Sequence, residues 1–524
     1  VPRRGYRWVS PVVPTTEPVS LPASSPPPIE PVQETRLSRR TVITALVFLL
    51  GITAFTGYWR LHALRDGTVP KIRLAVLPLE NMTGDPAQDY ICDGLTEEMI
   101  TSLGRLQPNR LAVIARTSVM QYKKTARTVR DIGKELGVDY VLEGSIRGQG
   151  ASVRVTVQLI QVRDESHLWA DTYDRDLRNL IGVQAEVARN VAGQVRLTLD
   201  SRHAAQIESP LDARAHDEYL LGRYQWNKRT EEGYEKAITH FERAIAIDPA
   251  YAAAYAGLAD SYILLGGAVH SQSQTIPKAA AAARKALEID PLQPEAHASL
   301  GLIAMNYDWD WVASEREYRR ALEINPNYAT AHHWYAEYLN MHGRFDEAVL
   351  EIGRAQELDP LSLIIATDRG KIWFYARRYP EALQQLRRVL AEDPSYREAH
   401  IYLIETFLAV GKFEEALADM NQFPAWARET WALDCRAFAL GRLGRRSEAR
   451  NLIAELEQAA LKDGRWTYGG LAYIGVGDSD KALSSYEYAV GSREISSTSL
   501  RVHPLLDPLR GSTRFQALIK KVGL

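Results

Sequence analysis

Three carboxylates close together are the best candidates for chemistry in this sequence. Asp171, Asp174 and Asp176 lie within six residues of one another, and paired carboxylates can act as a general acid and a general base. They also come directly before an apolar segment with helical spacing. At such a position Asp more commonly caps the helix, because its side chain accepts the free amide hydrogens of the first turn. We therefore expect helix caps here and no catalytic residue.

No other motif supports catalysis or cofactor binding. Gly148-Gln149-Gly150 lies between two segments typical of strands, which indicates a hairpin turn and not a phosphate-binding loop. Cys92 and Cys435 are the chain's two cysteines, too few for a disulfide framework or a four-cysteine metal site. The Gly-x-x-x-x-Gly-Lys-Ser/Thr, Gly-x-Ser-x-Gly and His-Glu-x-x-His motifs are absent. We predict that the chain is not an enzyme and that it binds no cofactor or metal.

The size of the chain predicts several domains. It has 524 residues, of which 46% are hydrophobic and 24% charged, and its formal net charge is −2. At about 150 residues per domain, three or four units are expected. The balanced charge argues against a general nucleic-acid-coating surface, so any charge-driven binding must be local.

Helical repeats dominate the second half of the chain. Small, large apolar, Ala and Pro residues recur at +0, +4, +7 and +12, as in Ala237, Phe241, Ala244 and Pro249. The same pattern ends in Pro291, Pro326, Pro360 and Pro394, spaced 35, 34 and 34 residues apart, which is the period of tetratricopeptide repeats. It predicts about eight repeats over residues 213–500, with an insertion near 266–273, and a capping helix over 501–524.

Repeat arrays of this kind resemble adaptors that hold a protein or peptide on the face formed by the first helix of each pair. The Lys/Asn clamp by which chaperone-binding relatives hold a carboxylate is not reproduced. By alignment of the repeats, the partner-binding groove is predicted to carry Asn306, His333, Glu337, Asn340, Lys371 and Glu405.

An α/β domain is predicted over residues 72–200. Strands are expected at 72–79, 111–115, 140–146, 153–162 and 167–173, and helices at 89–105, 129–136 and 176–199. The segments AVLPLENMTGDPAQDYICDGLTEEMITSL, ELGVDYVLEGSIRGQGASVRVTVQLI and LWADTYDRDL resemble the TolB N-terminal-like domain. That resemblance implies an α/β fold with a binding role.

An uncharged run from Thr41 to Trp59 predicts a transmembrane helix. Its 19 residues would span about 28 Å, close to the thickness of a bilayer's hydrocarbon core. Residues 60–71 are expected to be a linker. The predicted fold class is thus mixed: a single transmembrane helix, an α/β domain and an all-α tetratricopeptide solenoid.

The first forty residues predict a linker and the end of another domain. Residues 14–40 are rich in proline, which favours an extended linker. Residues 1–13 begin with Val-Pro-Arg-Arg-Gly-Tyr-Arg-Trp, which resembles the hairpin that closes the winged-helix domain of CadC/ToxR-type membrane-bound transcriptional regulators. By that resemblance Arg3 and Arg4 would bind DNA.

These expectations lead to one function and two alternatives. The first is a membrane-anchored transcriptional regulator that senses a signal and binds protein partners, with promoter DNA bound through an N-terminal winged helix mostly absent from this chain. The alternatives are an envelope scaffold without DNA binding and the regulatory part of a membrane-bound cyclase. The resemblance implies a single-pass protein of the bacterial inner membrane, with a cytoplasmic N-terminus and periplasmic C-terminal domains. The oligomeric state stays open, a dimer included.

Overall fold

The apolar segment that begins at Ile72 opens a mixed β-sheet. The computed structural model describes residues 71–149, 152–176, 181–195, 212–268, 272–426, 428–463, 469–493 and 498–524, all within the unit Val69–Leu524. The strands are β1 (Ile72–Val76), β2 (Glu80–Asn81), β3 (Leu111–Val113), β4 (Tyr140–Gln149), β5 (Ser152–Gln161) and β6 (Ser166–Asp176). The helices beside them are α1 (Asp89–Leu106), α2 (Arg116–Val119), α3 (Val129–Leu136) and α4 (Ile181–Gln194).

The sheet joins a parallel part to an antiparallel part. Its strand order is β3-β1-β4-β5-β6, and β2 pairs beside β4. β1 is parallel to both of its neighbours, with Leu74 opposite Tyr140 on β4. β4, β5 and β6 are antiparallel, with Tyr140 opposite Gln161 and Ser152 opposite Asp176. The parallel strands need crossover connections, which are supplied by α1 and α3.

Helices cover both faces of the sheet. On one face Leu95 and Met99 of α1 and Val187 of α4 share a buried core with Val155 and Val157 of β5. Alternate residues of β5 are buried, as expected for a strand with period-two patterning. The buried residues of the other core, beneath α3, are Ala75, Ile114, Ile132, Leu136, Val141 and Val162.

The predicted helix caps were wrong. Asp171, Asp174 and Asp176 all belong to β6, which pairs with the whole length of β5. Asp174 accepts a hydrogen bond from Nε of Arg154, the residue opposite it in the sheet, at 2.6 Å. Opposite charges at facing positions stabilise antiparallel strands, and this pairing explains the carboxylate at 174.

The described residues from 213 onward form eight helix pairs. The first helices of the pairs are α5 (Ala213–Trp226), α7 (Ala252–Ala268), α9 (Pro294–Ile303), α11 (Ala329–Met341), α13 (Leu363–Tyr375), α15 (Arg397–Ala409), α17 (Thr430–Arg442) and α19 (Gly470–Val476). The second helices are α6 (Glu231–Ile247), α8 (Gln272–Ile289), α10 (Trp311–Ile324), α12 (Phe345–Leu358), α14 (Tyr379–Glu392), α16 (Phe413–Gln422), α18 (Arg446–Asp463) and α20 (Ser479–Gly491). We number the pairs as repeats 1 to 8.

The repeating residues of the sequence are the contacts between these helices. Phe241 of α6 is fully buried, and its ring lies against Gly222 of α5 and Gly257 of α7. A Cβ added at either glycine would come within 2.6 Å of the ring. In repeat 3, Gly301 is equally close to the ring of Tyr318. Glycine therefore allows α5, α7 and α9 to approach an aromatic side chain of a neighbouring second helix.

The predicted insertion lengthens two helices. α7 and α8 have 17 and 18 residues, whereas α11 and α12 of a repeat with the regular period have 13 and 14. The extra residues of repeat 2 therefore lengthen the C-terminal end of α7 and the N-terminal end of α8.

The chain ends in two short helical segments where one capping helix was predicted. A 3-10 helix (Pro504–Leu509) precedes α21 (Thr513–Val522). The apolar residues of both pack into the core of the later repeats, as Leu505, Leu509 and Phe515 show. Pro504 and Pro508 lie in the 3-10 helix and lack the N–H that a continuous α-helix needs.

The α/β domain docks on the loops that join successive repeats. Asn327, between repeats 3 and 4, donates from Nδ2 to the carbonyls of Gly104 at 2.9 Å and Leu111 at 2.7 Å. Between repeats 4 and 5, the hydroxyl of Ser118 donates to Asp359 and accepts from the amide of Leu361 at 2.9 Å. Side chains of the repeats thus satisfy buried polar groups of the domain.

Charged residues of α1 continue this interface towards repeat 1. Glu97 accepts from Nε of Arg223 on α5 at 2.8 Å and lies 3.3 Å from Nε of Arg116. Burial alone would raise the pKa of Glu97, but the two guanidinium groups outweigh it and the pKa is lowered. Arg105 at the end of α1 pairs with Glu295 of α9 at 3.2 Å. The α/β domain and repeats 1 to 5 therefore form a continuous body.

Replacement of Asn327 by alanine should weaken this docking. The carbonyls of Gly104 and Leu111 would stay buried without their donor, which costs about 1–3 kcal/mol. The free energy of unfolding in urea measures the loss, and hydrogen exchange should increase over residues 104–113. Asn421→Ala, at an exposed position on α16, is the matched control and should change neither quantity. Unchanged exchange over 104–113 in Asn327→Ala would contradict the assignment.

The predicted localisation has to be corrected. Within the part of the chain that the structure describes, every helix is too short or too polar to cross a membrane. The run from 41 to 59 lies outside that part. We therefore withdraw the single-pass localisation in a bacterial inner membrane.

Candidate functional site on the inner face of the repeats

The structure places the six predicted groove residues on the first helices of repeats 3 to 6. His333, Glu337 and Asn340 lie on α11, Lys371 on α13 and Glu405 on α15. The sixth, Asn306, is half-buried in a π-helical turn that continues α9. We call the surface formed by α9, α11, α13 and α15 the inner face.

Three of the six residues meet around a carboxylate that the sequence analysis missed. Nε2 of His333 lies 2.6 Å from Oδ2 of Asp368, and Nζ of Lys371 lies 3.0 Å from Oδ1 of the same residue. Lys371 also pairs with Glu337. Asp368 stands one turn before Lys371 and one repeat after His333. This spacing could have predicted from the sequence that Asp368 belongs to the same cluster.

The charges of this cluster are buried. Lys371 is 8% exposed and Asp368 is 5% exposed. Burial alone would lower the pKa of Lys371, but the carboxylates of Asp368 and Glu337 outweigh it and raise the pKa. Burial also raises the pKa of Glu337, whereas Lys371 and His333 outweigh burial at Asp368 and lower its pKa. The cluster is therefore held together by a central ammonium group.

Other polar side chains of the inner face lack partners in the described part of the chain. Asn340 is fully buried, and neither Oδ1 nor Nδ2 of its amide has a hydrogen-bond partner there. Oε1 of Glu337 and Oε2 of Glu405 are in the same situation. Buried polar groups in proteins are nearly always paired, so these atoms are the unsatisfied hydrogen-bonding groups beneath the inner face.

The inner face is partly occupied by the chain's own end. We call residues 500–509 the closing segment. Its Val502 packs against Met341, Phe374 and Tyr375 at the ends of α11 and α13. His503 stands perpendicular to the ring of Phe374, with the centroids 5.5 Å apart.

Polar contacts hold the closing segment and α21 to the earlier repeats. Nη2 of Arg377 donates to Oδ1 of Asp507 at 2.6 Å, and Nε2 of His503 lies 3.7 Å from Oε1 of Glu405. Nε1 of Trp311 donates to the carbonyl of Val522 at 2.7 Å. The end of the chain therefore bridges repeat 8 to repeats 3, 5 and 6. Partner binding by the six predicted residues stays a prediction.

A buried histidine fixes the loop before repeat 6. Nδ1 of His400 lies 2.7 Å from Oδ2 of Asp419, and Nε2 lies 3.0 Å from the carbonyl of Pro394. Both acceptors need an N–H donor, so both hydrogen bonds form only when the imidazole of His400 carries a proton on each ring nitrogen. The arrangement recurs for His297 with Glu317 and Pro291, and for His332 with Glu351 and Pro326.

The contribution of His400 to stability should depend on pH. Burial alone would lower its pKa, but Asp419 and the carbonyl of Pro394 outweigh it and raise the pKa. A histidine whose pKa is raised by folding contributes to the free energy of unfolding. That contribution is fully present below the unfolded-state pKa of about 6.5 and is lost as the pH rises through the folded-state pKa. We expect His400→Gln to lower the free energy of unfolding more at pH 5.5 than at pH 8.5.

His342 provides a control of opposite sign. Burial lowers its pKa, so its contribution should be present above the unfolded-state pKa and lost as the pH falls. His342→Gln should therefore cost more at pH 8.5 than at pH 5.5. A larger cost of His400→Gln at pH 8.5, or of His342→Gln at pH 5.5, would contradict the assignment for that histidine.

Comparison with known families identifies two parts of the chain. Residues 70–190 match the second domain of HilA/YgeH-like transcriptional regulators. The chain carries a HilA/YgeH-like regulator domain. Tetratricopeptide repeat families match residues 231–266, 317–349 and 374–434, which confirms the predicted repeats. The resemblance of the HilA-like domain to TolB stays a prediction, as does the winged-helix remnant. Arg3 and Arg4 lie outside the described residues.

Individual relatives match parts of their own length. The putative adenylate cyclase 3 of Rhizobium meliloti strain 1021 is 36% identical over 238 residues, which cover 44% of this chain and 40% of that protein. The transcriptional regulator HilA of Salmonella typhimurium is 22% identical over 322 residues, which cover 59% of this chain and 55% of HilA. The chain thus spans about half the length, or less, of these curated relatives. Among solved structures, PilF of Pseudomonas aeruginosa is similar at 20% identity and a TM-score of 0.33, covering 40% of this chain and 92% of that one.

Proposed function

We propose that this chain is the partner-binding part of a transcriptional regulator. The observation that carries the proposal is the pairing of a HilA/YgeH-like regulator domain with tetratricopeptide repeats. The docking of that domain through Asn327 and Glu97 adds support, because a partner bound to the repeats would act on the HilA-like domain directly. The protein partner binds to the inner face and carries the signal.

DNA binding belongs, in this proposal, to a winged helix whose last residues are 1–13. Arg3 and Arg4 would then contact phosphates or a groove of the promoter. The pattern of residues 1–9 and the similarity to HilA support this part of the proposal.

Chromatin immunoprecipitation of the tagged, full-length gene product in its native host tests the regulatory role. We expect discrete sites upstream of genes whose transcripts change when the gene is deleted. If no site is enriched, the regulator is excluded and an adaptor without DNA binding becomes the better account of the repeats.

A second candidate is the regulatory part of a cyclase, favoured by the 36% identity to the putative adenylate cyclase 3. We propose that the chain itself has no catalytic activity in either case. Incubation with ATP and Mg²⁺ should give no cyclic AMP above a buffer control. Formation of cyclic AMP by the purified chain would overturn the non-enzymatic proposal.

A further inference from the structure

We propose that the closing segment is an exchangeable occupant of the inner face, and that a leucine-rich partner segment bearing a carboxylate takes the same place. The proposal rests on the proposed partner binding and names its surface and its ligand chemistry. Without a partner, the chain would then be autoinhibited, because its own closing segment would occupy the binding surface.

The chemistry of the partner follows from the present occupant. The closing segment offers an apolar run, in which Val502, Leu505 and Leu506 are buried. It also offers one carboxylate, Asp507, whose Oδ1 accepts from Arg377 of the inner face and from the neighbouring Arg510. A guanidinium group pairs with a carboxylate through a planar, directional contact, so this ion pair fixes the position of the segment along the face. A partner must supply both features.

The closing segment leaves the inner face incompletely satisfied, which argues for exchange. Its main-chain amides form hydrogen bonds within the end of the chain itself. The amide of Leu506 donates to the carbonyl of His503 at 3.2 Å, and the amide of Arg510 donates to the carbonyl of Asp507 at 3.2 Å. Asn340, one residue before the Met341 that contacts Val502, keeps both amide atoms unpaired within the described residues. An extended segment offers free N–H and C=O groups that a side-chain amide can pair with.

Further unpaired atoms lie where a partner's main chain would run. Oε2 of Glu405 has no partner in the described part of the chain, although its other oxygen lies near His503. Oε1 of Glu337 is likewise unpaired there. An incoming segment that donates to these oxygens would gain contacts that the closing segment does not make.

Competition within the chain should set the affinity for a partner. A tethered segment acts at an effective concentration in the millimolar range, so an untethered peptide binds poorly until the tethered one is loosened. Asp507→Arg loosens it, because a positive charge then faces both Arg377 and Arg510 while the inner face keeps its native residues.

The test uses the chain of 524 residues and a fluorescein-labelled synthetic peptide of residues 500–510. Fluorescence anisotropy should show that the Asp507→Arg chain binds the peptide roughly fivefold more tightly than the unaltered chain, as expected for the loss of a half-exposed ion pair. Adding Arg377→Glu restores the internal pair with reversed charges, and a peptide that carries the matching Asp507→Arg change should bind this double variant no more tightly than the native peptide binds the unaltered chain. Glu381→Arg removes an ion pair with Arg378 on the same repeat, of similar exposure, and should leave peptide binding unchanged.

Two results would overturn the proposal. One is equal peptide affinity for the unaltered and Asp507→Arg chains. The other is binding of the matching peptide to the double variant that is as tight as binding of the native peptide to the Asp507→Arg chain. If Asp507→Arg does not fold, hydrogen exchange of residues 500–509 in the unaltered chain decides the matter. Faster exchange with excess peptide supports displacement, and unchanged exchange excludes it. If the peptide experiment is negative but chromatin immunoprecipitation still enriches promoter sites, the exchange is excluded and the proposed regulatory function is retained.

Discussion

Replacement of Lys371 by methionine should destabilise the fold by about 3–5 kcal/mol, because it removes the cation shared by two buried carboxylates and, among the described residues, leaves Glu337 without a charged partner and Asp368 with His333 alone. Glu337 and Asp368 face the Lys371 ammonium group, and the lysine is 8% exposed. Methionine has a volume similar to that of lysine, so the lost stability would come from the missing charge and not from a cavity. The free energy of unfolding in urea at neutral pH measures the effect.

Lys412→Met is the matched control. Lys412 is half-exposed and lies 3.5 Å from Glu415, and an exposed pair of this kind contributes at most about 1 kcal/mol. Combining Lys371→Met with Glu337→Leu should recover part of the lost stability, since the carboxylate that lost its charged partner is removed. A neutral effect of Lys371→Met would show that the cluster is not held by the ammonium group.

Replacement of Phe241 by alanine should also cost about 3–5 kcal/mol, the range for truncating a buried aromatic side chain. The ring is fully buried and fills the space left by Gly222 and Gly257. Thermal unfolding followed by circular dichroism measures the loss.

Leu350→Ala serves as its control, since Leu350 also lies on the second helix of a repeat but is 63% exposed. Its effect should stay within about 0.5 kcal/mol. A loss of less than about 1 kcal/mol in Phe241→Ala would mean that the repeats repack around the gap, against the close helix approach described above.

The repeats could be predicted from the sequence because their contacts are local and periodic. Phe241 touches glycines at most nineteen residues away, and a similar spacing joins Gly301 to Tyr318 and Gly370 to Leu386. The residues of the inner face were also found by spacing, since His333, Glu337 and Asn340 follow helical periodicity on α11. Asp368 could have been found in the same way from Lys371.

Other contacts could not be predicted because they join distant parts of the chain. The hydrogen bond from Asn327 to Leu111 joins residues 216 apart, and the bond from Trp311 to Val522 joins residues 211 apart. Neither has a periodic signal. The boundary of β6 was missed for a related reason: strand length is set by the partner β5, whose ten residues pair to their end.

The bond between Trp311 and Val522 changes how the array should come apart. In an open solenoid each repeat depends on its neighbours alone, so the terminal repeat frays first and melting proceeds inward. Here the last helix is fastened to repeat 3, and fraying of one end breaks contacts near the other. We therefore expect repeats 3 to 8 to melt more cooperatively than an open solenoid of the same length.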